Sequence, residues 1–361
     1  MIVGFDGSKS FLKDKTGTEN YSYQLLKALL KIDQKNNYVV YVRPGAVYKE
    51  IEHHNVRIKT INWPRLWTQG GLALQTFKDQ LDVLFIPAHT TPIVKKPGLK
   101  TVVTVHDLGS EYQPEMHQLK QRLYLGFMQR QQLKNASKII AVSKSTKTDL
   151  VNRIRLNPNK IKVVYEGYDK NLFSPVKGNR LISSLKQFEL KPGQYFLFVG
   201  TVQPRKNLER IIAAVNQLGE KLLIVGGKGW MSDQIYQLAS DRVKFLGHVP
   251  DEKLPALYSG AIALVLPSLF EGFGLPILEA QACGCPVITS NTSSMPEVAG
   301  EGVVLVDPYK IDDIVKGMIR VNNLDIRNQL VKKGFDNIKR FSWEKCAAQT
   351  LEVLEKISLS P

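Results

Sequence analysis

The sequence predicts an α/β protein made of two doubly wound, parallel-sheet domains. Its length is the first indication, because 361 residues exceed the size at which one hydrophobic core keeps growing. The second is the alternation of short apolar strands with helical stretches along the chain. The third is that many of these strands are apolar throughout, which is typical of sheets covered by helices on both faces.

The first predicted domain spans residues 1–165 and begins with a strand at 2–5. Its further elements are predicted, in chain order, at 21–32, 38–42, 83–86, 101–105, 119–133, 138–142, 144–153 and 161–164. Ser143 is the predicted N-cap of the helix at 144–153, because a serine side chain accepts a hydrogen bond from the first helical turn. Residues 166–193 are rich in turn formers and predict a linker.

The second predicted domain spans residues 194–340. Its elements are predicted at 195–199, 208–218, 221–225, 243–245, 263–266, 276–283 and 287–289. Residues 341–361 contain an amphipathic stretch, which predicts a C-terminal helix that packs back toward the first domain.

Composition indicates an ordinary globular protein, with 43% hydrophobic and 23% charged residues. No run approaches the roughly 20 apolar residues of a membrane-spanning helix, and residues 1–6 resemble a strand rather than a secretory signal. We therefore expect a cytoplasmic location. The three cysteines cannot form a disulfide framework and lack zinc-ligand spacing, so buried free thiols are predicted.

The net charge of +16 lies mostly in the first domain. Residues 1–165 carry 26 Lys and Arg against 12 Asp and Glu, whereas residues 166–361 carry 23 against 21. Basic clusters at 95–96, 120–130 and 134–147 predict peripheral contact with an anionic surface, such as the inner face of the cell membrane. Solubility alone is the alternative explanation of this charge.

The strongest chemical signal is the segment 267–280, PSLFEGFGLPILEA, which follows an apolar strand. A glycine-rich loop that leads into a helix presents backbone N–H groups and a positive dipole end to phosphate or sugar hydroxyls. Glu271 on the loop and Glu279 in the helix are suited to accept hydrogen bonds from diols. The alternative is a structural turn followed by a solvated glutamate.

Two further signals stand after strands. The segment 198–208, FVGTVQPRKNL, places Arg205 and Lys206 beside a helix start, where two cations can neutralise a diphosphate. His106 and Asp107 stand at the carboxyl end of the strand 101–105, which is the edge where open α/β sheets bind ligands.

The segment 267–280 resembles, nearly letter for letter, the Glu-x7-Glu motif of retaining GT-B glycosyltransferases, in particular glycosyltransferase family 4 (group 1). The resemblance covers most of the chain and is dense from residue 195 to 308 but thin before residue 100. It implies two Rossmann-like domains that face a cleft, with the acceptor in the first domain and the nucleotide sugar in the second.

The resemblance implies site residues. The implied catalytic residues are His106, Asp107, Arg205, Lys206 and Glu271. The implied donor-binding residues are Gly17, Gly200, His248, Val249, Gly272, Phe273, Gly274, Leu275 and Glu279. In this scheme Glu271 and the loop amides hold the hexose, Glu279 holds the ribose, and the two cations stabilise the departing diphosphate. Gly17 belongs to a pattern that this chain keeps only at Gly17 and Tyr21, and departs from at Thr16 and Glu19.

The resemblance also implies the chemistry. Retention would come from same-face attack by the acceptor hydroxyl, and no metal or other cofactor is expected, because no Asp-x-Asp element follows a strand. Residues 106–109 and 139–143, with Pro114 and Arg122, resemble bacterial mannosyltransferases of polysaccharide assembly, so GDP-mannose is the first expectation for the donor. A UDP-sugar, UDP-glucose foremost, is the alternative. The acceptor is expected to be a saccharide or a lipid-linked saccharide.

Two other functions stay open from the sequence. A nucleotide-sugar epimerase on the same fold would share the donor site. A nucleic-acid-binding protein would suit the positive charge, but the aromatic residues are not interleaved with basic ones as in known nucleic-acid-binding modules, so no nucleic-acid partner is expected.

The segment 63–67, with Trp63 and Trp67 on either side of Arg65, predicts a surface for a membrane interface or for saccharide stacking, or else a buried core pair.

Overall fold

The computed structural model describes residues 1–12, 16–48, 51, 53–88, 90–108 and 130–359. The chain divides into two compact units, one of Met1–Gly167 with Trp343–Pro361 and one of Tyr168–Ser342. The predicted helix at 119–133 and the basic cluster at 120–130 lie largely outside the described residues, and Gly109, Pro114 and Arg122 lie wholly outside them. Within the described ranges, no helix combines the length and apolarity that crossing a membrane requires.

The first unit contains a seven-stranded parallel sheet. Its strands are β1 Ile2–Asp6, β2 Asn37–Val42, β3 Val56–Thr60, β4 Val83–Ile86, β5 Lys100–Val105, β6 Lys138–Ala141 and β7 Ile161–Val163. They lie in the order β3-β2-β1-β4-β5-β6-β7. The helices described in this unit are α1 Gly17–Ile32, α2 Ala73–Lys78, which follows a π-helical turn at Thr68–Leu72, α3 Lys144–Asn152, and a C-terminal helix, Trp343–Ser358.

Helix α1 begins earlier than the sequence pattern predicts. Thr16 and Glu19 form a capping box: the Thr16 side chain accepts a hydrogen bond from the Glu19 backbone N–H, and the Glu19 side chain accepts one from the Thr16 backbone N–H. Glu19 also pairs with Lys9 at 3.2 Å. The helix therefore starts at Gly17 rather than at Tyr21. The two residues that depart from the family pattern thus have a structural role in starting the helix.

Strand β3 was not predicted, and its sequence explains why. Arg57 and Lys59 alternate with Val56 and Ile58, and no residue of the strand is fully buried. The strand lies at the edge of the sheet, where polar side chains are tolerated and limit pairing with other chains. The strands predicted from the sequence are apolar runs, and β3 does not have that pattern.

The second unit contains a six-stranded parallel sheet. Its strands are β8 Phe196–Val199, β9 Leu222–Val225, β10 Val243–Gly247, β11 Leu264–Leu266, β12 Val287–Ser290 and β13 Val304–Val306, in the order β10-β9-β8-β11-β12-β13. Its helices are α4 Gly178–Lys186, α5 Leu208–Leu218, α6 Asp233–Gln237, α7 Leu254–Gly260, α8 Leu275–Ala282, α9 Met295–Ala299, α10 Ile311–Val321 and α11 Leu324–Ile338. Helix α4 lies within the stretch predicted as a linker and packs against α7.

Both sheets are doubly wound, and the predicted fold class is confirmed. In each sheet the strand order reverses between the first strand and its neighbour, at β1/β4 in the first unit and at β8/β11 in the second. Open α/β sheets bind ligands outside the carboxyl ends of their strands at this switch point. The loops that follow β8 and β11 are therefore the first place to look for a site in the second unit.

Candidate functional site

The loops after β8 and β11 bring together residues that the sequence places 65 or 66 positions apart. Arg205 and Lys206 lie in a short 3-10 turn after β8, and Glu271 lies in the glycine-rich loop after β11. Because β8 and β11 are hydrogen-bonded neighbours, their following loops meet, and Leu269 N donates to Arg205 O at 2.9 Å. The strand order thus assembles this cluster.

Glu271 joins the two cations in one buried cluster. The Arg205 Nη1 atom lies 2.6 Å from Glu271 Oε2, the Lys206 ammonium contacts Oε1, and Ser268 donates to Oε1 at 2.9 Å. Glu271 and Lys206 are only 6% and 7% exposed. Burial alone would raise the pKa of Glu271, but the guanidinium and the ammonium outweigh it and lower the pKa to about 2. The carboxylate is therefore ionised near neutral pH, and the three charges leave the cluster with one net positive charge.

Two serines that sequence reasoning did not assign hold the loop around Glu271. Ser293 Oγ donates to Glu271 O at 2.7 Å, and Ser294 Oγ donates to Glu271 O and Phe273 O at 3.0 Å. Phe273 is 4% exposed and packs edge-on against Phe341 with ring centroids 5.8 Å apart. The signal that could have identified these residues is the Ser-Ser pair directly before helix α9 and its early proline.

The glycine-rich loop ends at the start of α8. Gly274 is the N-cap of that helix with φ of 103°, a left-handed conformation that a residue with a side chain rarely adopts. Gly272 is buried in the same loop, and Leu275 is the half-buried first residue of the helix. Pro276 therefore occupies the second helical position, one later than predicted.

The turn after β8 is supported by a second glycine and by Asn207. Gly200 has φ of 148°, and a Cβ on Gly226 would lie 2.0 Å from Gly200 O, so the close approach of the two backbones requires glycine at 226. Asn207 has left-handed φ and ψ of 64° and 29°, and its side-chain amide donates to Pro267 O and Pro308 O at 2.9 and 2.7 Å. These contacts tie the Arg205 turn to the loops after β11 and β13. Gly226 was not assigned from the sequence, because the glycines at 226, 227 and 229 after β9 also suit an ordinary turn.

Glu279 has the opposite electrostatic behaviour. It lies on α8, half-buried, and its Oε2 accepts a hydrogen bond from Tyr258 Oη at 2.8 Å. Burial raises its pKa to about 7. The Tyr258 hydrogen bond lowers the pKa, and the nearby charge of Asp251 raises it. Tyr258 was not assigned from the sequence. His248 is exposed and Val249 is buried, and both follow β10 at the carboxyl edge of the same sheet.

In the first unit, His106 follows β5 and is 8% exposed. Its Nδ1 atom lies 3.2 Å from Glu166 Oε1, and its Nε2 atom lies 2.9 Å from Pro87 O. Asp107 is half-buried beside it, and Gly17 is exposed at the start of α1. Glu166 has no counterpart among the residues assigned from the sequence.

The two tryptophans of the segment 63–67 do not form a shared surface, so the prediction of a membrane or saccharide surface there is wrong. Trp67 is 2% exposed and donates its indole N–H to Ile61 O at 3.2 Å, so it belongs to the core of the first unit. Trp63 is 39% exposed. An indole whose N–H bonds inside the fold is not available to a membrane or a sugar.

The remaining expectations concern thiols and metals. All three cysteines are free and buried, as predicted. Over the ranges that the structure covers, no group of three or more His, Cys, Asp or Glu side chains is arranged to hold a metal ion. The expectation that catalysis needs no metal stays a prediction.

Comparison with known proteins follows the same division of the chain. The family model for glycosyl transferases group 1 matches residues 183–336, and that for glycosyltransferase family 4 matches residues 15–172. O-antigen chain mannosyltransferase B of Escherichia coli is 31% identical over 264 residues, which are 70% of this chain and 69% of the relative. O-antigen chain mannosyltransferase RfbU of Salmonella typhimurium is 29% identical over 267 residues, which are 70% of this chain and 69% of that relative.

Among solved structures, sucrose-phosphate synthase from Thermosynechococcus elongatus has the same fold. Its TM-score is 0.77 at 22% identity, over 99% of this chain and 98% of that one. The doubly wound units and the family matches agree with the resemblance carried by the Glu-x7-Glu segment. The chain therefore belongs to glycosyltransferase family 4, the group 1 glycosyltransferases, and is a glycosyltransferase of the GT-B fold.

Proposed function

We propose that this enzyme transfers mannose, with retention, from GDP-mannose to a saccharide or lipid-linked saccharide during assembly of a cell-surface polysaccharide. The O-antigen mannosyltransferases among its relatives support the choice of sugar and pathway class. The observation that carries the proposal is the buried Arg205–Glu271–Lys206 cluster at the switch point of the second sheet. It combines cations for a diphosphate with a carboxylate for sugar hydroxyls.

In the proposed reaction, the bond between the anomeric carbon and the diphosphate oxygen breaks, and its electron pair goes to the diphosphate. Arg205 and Lys206 stabilise this growing negative charge, since preorganised electrostatics usually supply the largest catalytic contribution. The acceptor hydroxyl attacks the same face of the sugar, and its proton goes to the departing phosphate oxygen. His106 and Asp107 act near the donor sugar, and Gly17 lies near the diphosphate.

The remaining donor contacts are assigned to residues of the second unit. Glu279 accepts hydrogen bonds from the ribose hydroxyls, and His248 and Val249 lie beside the base. Gly200 lies by the phosphates, and residues 272–275 line the hexose. No metal ion takes part, so transfer is expected to continue at an unchanged rate in excess EDTA; loss of transfer that added Mg²⁺ restores would contradict this.

The donor is tested by a thermal-shift panel followed by a transfer assay. GDP-mannose is expected to raise the melting temperature more than UDP-glucose, and oligonucleotides are expected to have no effect. NMR of the product should show the anomeric configuration of the donor. A larger increase in melting temperature with UDP-glucose would make UDP-glucose the donor. A product with inverted anomeric configuration would overturn retention. An isomerised sugar formed without acceptor would indicate an epimerase.

We further propose that the enzyme works in the cytoplasm at the inner face of the membrane, through an apolar and basic face of the first unit. Leu74 and Phe77 on α2 are 47% and 50% exposed. The loop that carries exposed Ile93 and Val94 packs along α2, because Lys96 N donates to Thr76 Oγ1 at 3.0 Å. Apolar side chains flanked by lysines suit an anionic lipid surface.

Sedimentation with anionic liposomes tests this face. The unchanged protein is expected to bind at low salt and to dissociate as salt rises. Phe77→Glu should weaken binding at least fivefold, whereas Ile182→Glu, at a 57% exposed position of the second unit, should not. No binding of the unchanged protein at low ionic strength would remove the membrane proposal and leave the donor assignment intact.

A further inference from the structure

Glu166 is a buried acid to which neither the sequence motifs nor the donor scheme gives a role. It lies three residues after β7 and is 4% exposed. Its carboxylate lies 3.2 Å from Nδ1 of His106, a residue 60 positions earlier in the chain. A buried charge without a partner is costly, so this contact requires an explanation.

The charge of the His106 ring depends on the hydrogen bonds that its two nitrogens make. Pro87 O can only accept a hydrogen bond, so the Nε2 atom at 2.9 Å must carry a proton. An ionised Glu166 also only accepts, so Nδ1 must carry a second proton. A ring that donates from both nitrogens is an imidazolium cation.

The other groups packed around His106 are consistent with a cation there. Tyr21 on α1 meets the ring edge-on with centroids 4.6 Å apart, and Cys346 on the C-terminal helix lies near Tyr21 and Glu166. Burial raises the pKa of both Tyr21 and Cys346, so both stay neutral near pH 7. Asp107, the next residue along the chain, adds a second favourable negative charge.

We propose that Glu166 is a positioning residue for glycosyl transfer, which holds the His106 ring in place as an imidazolium at the carboxyl edge of the first sheet. This rests on the proposed function, which puts His106 at the reaction centre. A ring held in one orientation and one charge state is preorganised for the charge that develops during transfer, and a neutral imidazole, which can change its tautomer, is not. Glu166 acts through His106 and does not itself contact the donor.

The charge state of His106 is measured first, without any substrate. Ring ¹⁵N chemical shifts of the full-length protein are followed against pH, with the His106 signals identified by their loss in His106→Gln. The unchanged protein is expected to show imidazolium shifts at pH 7, and Glu166→Gln to lower the titration midpoint by about one pH unit or more. Glu166→Asp, which keeps the charge, should restore part of that difference.

The same titration should appear in catalysis. The cation is present below its folded-state pKa, which the ion pair raises, so kcat/KM should fall on the alkaline side as His106 loses its proton. Glu166→Gln should move this alkaline limb down by the amount that NMR reports. The control is Asp79→Asn, which removes a different half-buried carboxylate of the first unit, paired with Lys59, and should leave the limb in place.

Several results would overturn the proposal. A neutral His106 at pH 6 would mean that the ring is not an imidazolium, and equal midpoints in the unchanged protein and Glu166→Gln would mean that the ion pair does not set the charge. A uniform activity loss in Glu166→Gln with an unmoved alkaline limb would indicate a role in folding only. Failure of the proposed function looks different: the unchanged protein would transfer no sugar from any donor while the NMR midpoint still responded to Glu166→Gln.

Discussion

At the scale of residues, the two acids of the Glu-x7-Glu segment show how partners decide protonation. Glu271 is buried and Glu279 is half-buried, and burial raises the pKa of a carboxyl group. Glu271 faces two cations that reverse the effect, so its pKa is about 2. Glu279 accepts a hydrogen bond from the Tyr258 hydroxyl, which lowers the pKa less than burial raises it, so its pKa is about 7. Glu271 is therefore ionised at neutral pH, whereas Glu279 titrates near neutral pH.

Glu271→Gln tests the charge cluster. Removing the carboxylate takes from half-buried Arg205 and buried Lys206 the acid that neutralises one of their two charges, so we expect the free energy of unfolding at pH 7 to fall by about 3 kcal/mol and kcat to fall at least a hundredfold. The folded-state pKa lies below the unfolded value of 4.5, so the stabilisation is complete above pH 4.5 and is lost as pH falls toward 2. The difference between the two proteins should therefore shrink in acid.

Urea unfolding at pH 7 and pH 3 measures this difference. The control is Glu301→Gln, whose acid pairs with Lys333 and has a side chain 87% exposed; its stability should change by less than about 0.5 kcal/mol. Equal stability of Glu271→Gln and the unchanged protein at pH 7 would contradict the cluster.

Glu279→Gln should have the opposite pH dependence. The folded-state pKa lies above 4.5, so the stabilisation from the protonated acid is present below pH 4.5 and is lost as pH rises through 7. We expect Glu279→Gln to gain about 1–3 kcal/mol relative to the unchanged protein between pH 5 and pH 8, measured by urea unfolding. A constant difference across this range would mean that Glu279 is already ionised at pH 5.

The Tyr258 hydroxyl supplies a check on the same acid. Its hydrogen bond favours the carboxylate, so Tyr258→Phe should move the loss of stability to higher pH. If Glu279 also holds the ribose, nucleoside diphosphate affinity measured by calorimetry should rise between pH 6 and pH 8 more steeply in the unchanged protein than in Glu279→Gln.

At the scale of elements, one side chain links the start of α5 to two other loops of the second unit. Asn207 combines a left-handed backbone with two buried hydrogen bonds, to Pro267 O and Pro308 O. Substitutions can separate these contributions, because glycine tolerates the backbone conformation without supplying the bonds. The turn that carries Arg205 and Lys206 depends on both.

We expect Asn207→Gly to lose about 2 kcal/mol of stability through the two buried hydrogen bonds that its side chain donates and the one that it accepts from Arg210, and Asn207→Ala to lose about 1 kcal/mol more through backbone strain. Both should raise KM for the donor, because the cations lose their support. Urea unfolding and donor kinetics are the measurements, with exposed Gln217→Ala on the same helix as the control. An alanine variant as stable as the glycine variant would show that the left-handed backbone carries no strain.

At the scale of the whole molecule, the two units differ in how the chain builds them. The second unit is continuous, from Tyr168 to Ser342, whereas the first needs the C-terminal helix in addition to residues 1–167. That helix packs against α1, and it buries Trp343, Ala347 and Leu354. Without it, the apolar face of α1 would be exposed to water.

A fragment of residues 168–342 is therefore expected to unfold cooperatively and to bind nucleoside diphosphate. A fragment of residues 1–167 should lack a cooperative transition, and a flexible linker that joins it to residues 343–359 should restore one. Circular dichroism melting distinguishes these cases. A cooperative transition in residues 1–167 alone would show that the C-terminal helix is dispensable for the first unit.

The sequence by itself determined the parts of this protein that depend on neighbouring residues. Alternation of apolar strands with helices predicted the fold class, and the bounds of β4 and α5 agree with the prediction at both ends. The glycine-rich loop and the Arg-Lys turn could be located because each motif is a local pattern of a few residues. Strands β3 and β13 and several helices, among them α4, α10 and α11, were not predicted. The local pattern of β3 is polar and that of α4 is interrupted, whereas the pattern of α10 and α11 was not recognised.

Only the tertiary structure decided which of these residues meet. Glu271 reaches Arg205 across 66 positions, and Glu166 reaches His106 across 60, because loops after particular strands are brought together by strand order. The burial of Trp67 was decided in the same way, by packing against residues of other elements. Periodicity and propensity act over a few residues and do not encode strand order, so partners, burial and the resulting pKa values follow from the fold.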